Sequence, residues 1–247
     1  MDSPKDGRAG ASCQTTASAR AGRAPAPAAG IAQERISPPF TPRQRDAIRR
    51  ALEWGRVMTY PTETSYALGG NALSAKVVEA IYRLKGRERG KRVLLLVDGS
   101  GDLSPWVRDV PEAARALMRA LWPGALTLVL RAGADVPAHL KDERGTLAVR
   151  WSPHPVIAEL LALGGVPLIG TSANRSGAPA LNDADSVLRA FRAEPLLAID
   201  GGAAAGGPPS TVLDATVLPF RIVREGALPR ARLRERLASA FPDAVPA

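Results

Sequence analysis

Val93-Leu94-Leu95-Leu96-Val97 is a run of five apolar residues with helical patterning on both sides of it. A run this short and this uniformly apolar suits a strand covered on both faces. Before it, Val77, Val78, Ile81 and Leu84 share one helical face behind Ser74, a capping residue type. After it, residues 111–121 read as a helix that stops ahead of Trp122-Pro123-Gly124, because a proline restricts the residue before it. The alternation continues in both directions. Strands are predicted at 56–60, 126–130, 146–150, 166–169 and 196–199, and a hairpin at 211–214 and 221–224. Helices are predicted from Thr41 to about Trp54 and at 155–163, 183–191 and 229–240. The Thr41 helix carries the signature of a capping box, with Pro42 in its first turn and Gln44 placed to reach back. Strands alternating with helices define an α/β chain with a mixed sheet, parallel in part and antiparallel near the end.

Hydrophobic residues make up 45% of the 247 and charged residues 23%, enough apolar surface for one sizeable core. No apolar stretch approaches the roughly 20 residues of a membrane-spanning helix. The one cysteine, Cys13, excludes an intramolecular disulfide and a cysteine-based zinc cluster. That usage favours a reducing compartment, hence a cytoplasmic protein. Residues 1–40 differ from the rest: the first 30 hold nine alanines and almost nothing large and apolar. The expectation is a disordered tail over 1–40 and one domain over 41–247, with removal of the tail neutral for stability. The formal net charge is +9, of which the tail supplies only +2. The basic body calls for an anionic partner. Aromatics, at 4%, are sparse for a protein that stacks many bases.

Three polar segments stand out. Lys85-Gly86-Arg87-Glu88-Arg89-Gly90-Lys91-Arg92 packs five cations into eight residues. Extended, it would project Lys85, Arg87, Arg89 and Lys91 to one side, a strip suited to a triphosphate. It is not a P-loop, since Gly86 and Gly90 enclose only three residues and no hydroxyl follows Lys91. Thr171-Ser172-Ala173-Asn174-Arg175-Ser176-Gly177 and Tyr60-Pro61-Thr62-Glu63-Thr64-Ser65-Tyr66 are hydroxyl-rich loops, each after a predicted strand. Ligands gather outside the carboxyl ends of strands, so the three segments point to one cleft. His139 and His154 come with no metal-binding or catalytic pattern, and no G-x-S-x-G elbow is present.

Taken in order, the loops resemble the threonylcarbamoyl-AMP synthase family, the YrdC-like proteins. The matching segments include Tyr60–Gly69, Ile81–Arg87, Trp122–Leu128, Ala148-Val149-Arg150, Thr171–Gly177, Asp200-Gly201-Gly202, Ser210-Thr211-Val212 and Arg224-Glu225-Gly226. The resemblance implies a twisted mixed sheet with flanking helices and a basic concave face. It implies a nucleotidyltransferase reaction in which L-threonine, bicarbonate and ATP give threonylcarbamoyl-AMP and pyrophosphate. Magnesium would come with the nucleotide, and no protein metal site is implied. The product would pass to a threonylcarbamoyl-transferase complex for t6A modification of tRNA, with tRNA or double-stranded RNA as a further contact. Carried over by motif, Lys85, Arg87 and Lys91 would bind the ATP phosphates, with Lys85 and Arg87 catalytic. Thr146, Ser172, Asn174 and Arg224 would help hold the nucleotide. Thr64, Arg150 and Ser210 would hold threonine, Arg150 pairing with its carboxylate. Glu88 and Arg92 stand where the family usually has proline, or proline or glycine, and Ala67 where many members have glycine. Leu96 stands where some longer relatives place a threonine-contacting histidine.

Two alternatives stay open at this point. One is a non-enzymatic protein that binds double-stranded RNA or a ribosome through spread positive charge alone. The other is a nucleotide-binding paralogue with a different carbamoyl acceptor. An enzyme requires the hydroxyls of Thr64, Ser172 and Ser210 and the amide of Asn174 to cluster with the cations.

Overall fold

A computed structural model describes residues 33–86 and 93–246, all within the unit Ala32–Ala247. The predicted alternation is there. The helices are α1 (Pro42–Glu53), α2 (Ala75–Lys85), α3 (Glu112–Leu121), α4 (Pro155–Gly164), α5 (Ala184–Ala190) and α6 (Arg230–Ala238). Thr41 caps α1 as its sequence predicts: its hydroxyl accepts from the Gln44 N–H, and the Gln44 side chain accepts from the Thr41 N–H.

The strands part into two mixed sheets. One has the order β1 (Glu34–Ile36), β9 (Leu197–Ile199), β2 (Met58–Pro61), β3 (Tyr66–Gly69), β8 (Thr171–Ser172). The other has the order β11 (Arg221–Arg224), β10 (Thr211–Asp214), β5 (Leu126–Arg131), β6 (Thr146–Arg150), β4 (Leu94–Leu96), β7 (Leu168–Ile169). The predicted hairpin is the antiparallel pair β10–β11. The second sheet carries the larger apolar cluster, shared with α2, α3 and α6. The first packs against α1 and α4 through a smaller one, with Ile48, Leu52, Ile157 and Leu160 at its centre.

The two sheets join where the chain passes from β7 to β8 through Gly170. A Cβ at that position would come within 2.6 Å of Leu96 Cγ, so the crossover needs a residue without a side chain. Tyr60, fully buried, holds the same junction: its hydroxyl donates to the Ile169 carbonyl and accepts from the Gly70 N–H at 3.1 Å.

Two features differ from expectation. Residues 66–69 complete a β2–β3 hairpin, so the hydroxyl-rich Thr62–Ser65 stretch is a tight turn between paired strands. And residues 33–40 are not tail. β1 pairs in parallel with β9, Arg56 reaches Glu34 at 2.9 Å, and Ile36 and Phe40 are buried. A three-residue strand with one inward side chain has no periodicity to detect; its place comes from the edge of a distant strand. Residues 1–32 lie outside the described residues. Deleting 1–40 therefore removes two buried side chains worth roughly 1.5–3 kcal/mol each. The expected loss is on the order of 10 °C in Tm by scanning calorimetry, and an unchanged Tm would show that β1 contributes nothing.

Candidate functional site

A cleft of about 220 Å³ opens between the two sheets. Its walls are the β2–β3 turn, the inward faces of β4, β5 and β6, the β7–β8 crossover and the start of β10. Side chains alternate along a strand, so Ala148 and Arg150 share one face of β6, and Leu94 and Leu96 one face of β4. Both faces line the cleft.

Five of the predicted site residues meet there: Thr64, Arg150, Ser172, Ser210 and Arg224. They come from five separate segments. Arg150, only 4% exposed, is the strongest feature. It forms an ion pair with Glu63 and donates from Nε to the Gly124 carbonyl at 3.1 Å. Burial, and then the charge of Arg224, pull its pKa down to about 10, far enough above neutrality to leave it a cation. Ser210, also buried, lies with its hydroxyl 2.8 Å from that of Thr127, and Arg224 Nη2 donates to the Ser210 carbonyl at 2.9 Å. Thr64 Oγ1 lies 3.2 Å from Thr62 Oγ1, which also donates to the Ser65 carbonyl. The turn thus presents hydroxyls at a fixed spacing.

Lys85 and Asn174 stand immediately behind Ser172. Lys85 is the last residue of α2, not part of an extended strip, and is nearly buried. Its ammonium donates to the carbonyls of Ser172 and Asn174 and to Asn174 Oδ1. The Ser172 hydroxyl donates to the same Oδ1 at 2.6 Å, and the Ser176 N–H to the Lys85 carbonyl at 2.9 Å. The loop after β8 is therefore wrapped around one cation. Arg87 and Lys91, with Glu88 and Arg92, lie outside the described residues.

Thr146 does not line this cleft. It shares a face of β6 with Arg150 but sits at the other end, roughly 13 Å away at about 3.3 Å per residue. It is committed to Asp142, donating from both N–H and Oγ1 at 2.8 Å. The length of the strand sets it apart from the Arg150 end of the cleft.

Sequence reasoning passed over four contributors. Glu63 sits between two threonines in a segment already singled out, and Ser152, two residues past Arg150, donates to it at 2.7 Å. Thr127 is a polar residue inside an apolar strand, a signal that was available. Tyr66 is cleft wall and also a clasp: its hydroxyl donates to the Gly202 carbonyl at 2.7 Å and lies 3.2 Å from an Asp200 carboxylate oxygen. Burial, then the Asp200 charge, raise its pKa, so it remains a donor. Leu96, one of the departures from the family pattern, lines the cleft as an apolar wall.

A family model described as Sua5_yciO_yrdC, Telomere recombination, matches residues 50–226. The chain is 36% identical over 175 residues to the threonylcarbamoyl-AMP synthase of Pyrococcus abyssi, covering 71% of this chain and 52% of that protein. It is 38% identical over 163 residues to the threonylcarbamoyl-AMP synthase of Thiobacillus denitrificans, covering 66% and 86%. The chain thus spans about half of the first relative and most of the second. Among solved structures, P. abyssi Sua5 complexed with L-threonine superposes with a TM-score of 0.78 at 29% identity, over 87% of this chain and 62% of that one. E. coli YciO does so with a TM-score of 0.73 at 27% identity, over 82% and 100%.

Proposed function

The chain belongs to the Sua5/YciO/YrdC family, and from that premise we propose that it is an ATP-dependent L-threonylcarbamoyladenylate synthase acting in t6A modification of tRNA. The observation that carries this reading is the convergence of buried Arg150, Ser210 and Thr64 with Ser172 and the Lys85–Asn174 loop around one small cleft. Spread positive charge suffices for binding a nucleic-acid backbone. A buried guanidinium flanked by oriented hydroxyls suits a small carboxylate.

The chemistry needs no protein nucleophile. The threonine amine and bicarbonate form a carbamate with loss of water. A carbamate oxygen attacks the α-phosphorus of ATP, and the bond to the β-phosphate oxygen breaks to release pyrophosphate. This makes the enzyme a nucleotidyltransferase. Its residues position the reactants and balance charge. Arg150 takes the threonine carboxylate, with Ser210 and Thr64 beside it. Ser172, Asn174 and Arg224 hold the nucleotide. Lys85 fixes the loop that carries two of them and places a positive charge behind the phosphates, alongside Arg87 and Lys91. Magnesium in this reading comes on the triphosphate, where it would screen the phosphate charge. The adenylate then passes to a threonylcarbamoyl-transferase complex and so to tRNA, a cytoplasmic pathway. No helix among the described residues is long and apolar enough to cross a membrane.

The test is pyrophosphate release from ATP by the purified chain with magnesium and bicarbonate, with and without L-threonine. The expected result is release that depends on threonine and on bicarbonate. Nucleotide binding with no threonine-dependent release would overturn the reading.

A further inference from the structure

Among the described residues, the cleft lining holds two charged side chains, Arg150 and Arg224. A buried guanidinium without a counter-charge is costly, and Arg150 meets that demand with Glu63. Glu63 is itself anchored: one oxygen pairs with Arg150 and the other accepts from the Ser152 hydroxyl at 2.7 Å. On Arg150, Nε is committed to the Gly124 carbonyl and Nη2 to Glu63. The remaining corner, Nη1, has no protein partner among the described residues, and the side chain lines the cleft. Guanidinium donors lie in a fixed plane, so holding two corners sets the direction of the third.

We propose that Glu63, anchored by Ser152, is a positioning residue that aims the free corner of Arg150 at the substrate carboxylate and so sets the affinity for the amino acid. This rests on the reading of Arg150 as the carboxylate ligand. Glu63 acts through Arg150 and need not touch the substrate. Its removal therefore falls on the amino acid and spares the nucleotide.

The experiment measures KM for L-threonine and for ATP in the full chain carrying Glu63→Gln, Ser152→Ala or Arg150→Ala. Calorimetric Kd values are measured for L-threonine and for L-threoninol, which lacks the carboxylate. Glu63→Gln is expected to raise the threonine KM roughly 10- to 100-fold, the scale of a lost charge-assisted hydrogen bond, with the ATP KM within about twofold. Its preference for threonine over threoninol should shrink by a similar factor, which a general loosening of the fold would not produce. Ser152→Ala, which keeps both charges, is expected to raise the threonine KM roughly threefold to tenfold and stands in if Glu63→Gln does not fold. A threonine KM within about twofold of wild type in both variants, while Arg150→Ala raises it strongly, overturns the role of Glu63 and leaves Arg150 as the ligand. An Arg150→Ala variant with unchanged threonine affinity overturns the underlying reading as well.

Discussion

Replacing Lys85 with Ala lowers threonine-dependent pyrophosphate release by on the order of 10²–10³-fold, the scale of losing one preorganised charge donor in a water-poor site. The ammonium gathers three oxygens from Ser172 and Asn174. Without it those oxygens lose their charged donor, and the Ser172 hydroxyl loses the acceptor geometry that Asn174 provides. The effect is on chemistry more than on folding. α2 keeps its buried face of Val77, Val78, Ile81 and Leu84, so Tm should fall by only a few degrees. Lys85→Arg should restore little, because a planar fork cannot point at three oxygens that converge on one atom. Turnover within about threefold of wild type in Lys85→Ala would remove the residue from the mechanism.

A large effect on stability is expected away from the cleft. Asp214, at the end of β10, has no solvent exposure; Arg144 reaches it at 2.9 Å and Arg221 at 3.2 Å, with Thr216 donating from both N–H and hydroxyl. The two arginines are partly in water, whereas the carboxylate is not. Removing the cations is therefore worse than removing the anion. Arg144→Ala with Arg221→Ala strands a buried carboxylate and should cost about 3–5 kcal/mol, roughly 10 °C or more in Tm. Asp214→Asn keeps an acceptor for Thr216, lets both guanidiniums rehydrate, and should cost less. If the order is reversed, the pair is not held as described.

The same carboxylate has a pH signature. Burial alone would raise its pKa, but the Thr216 hydroxyl and Arg144 together outweigh burial and leave it below the ordinary 3.8. A carboxylate with a depressed folded pKa binds fewer protons when folded than when unfolded. Its contribution is complete above the unfolded value and is lost as pH falls below about 3.8 through the folded pKa. Wild-type Tm should drop steeply below about pH 4, and Asp214→Asn should flatten that slope.

Legibility in the sequence varied with the origin of each feature. Elements with their own periodicity or capping chemistry were readable, α1 from its Thr41–Gln44 box and β4 from its apolar run. β1 was not, because it owes its position to β9, more than 150 residues away. The site divides in the same way. Arg150, Ser172 and Ser210 stood in recognisable local segments and meet in the cleft. Thr146 stood in an equally good segment and does not, because β6 carries it to the opposite end. Glu63 was in view as a letter in a motif, but its tie to Arg150 spans 87 positions and two sheets.

The sequence by itself determined most of the helix and strand segments and which loops carry hydroxyls and cations, because propensity, capping and alternation act over a few residues. Only the tertiary structure decided how the strands divide into two sheets and which loops face one another across the cleft. It also decided which charged residues are buried deeply enough to need a partner. Those outcomes depend on pairings between distant segments and on the water that such pairings exclude, and no local pattern records either.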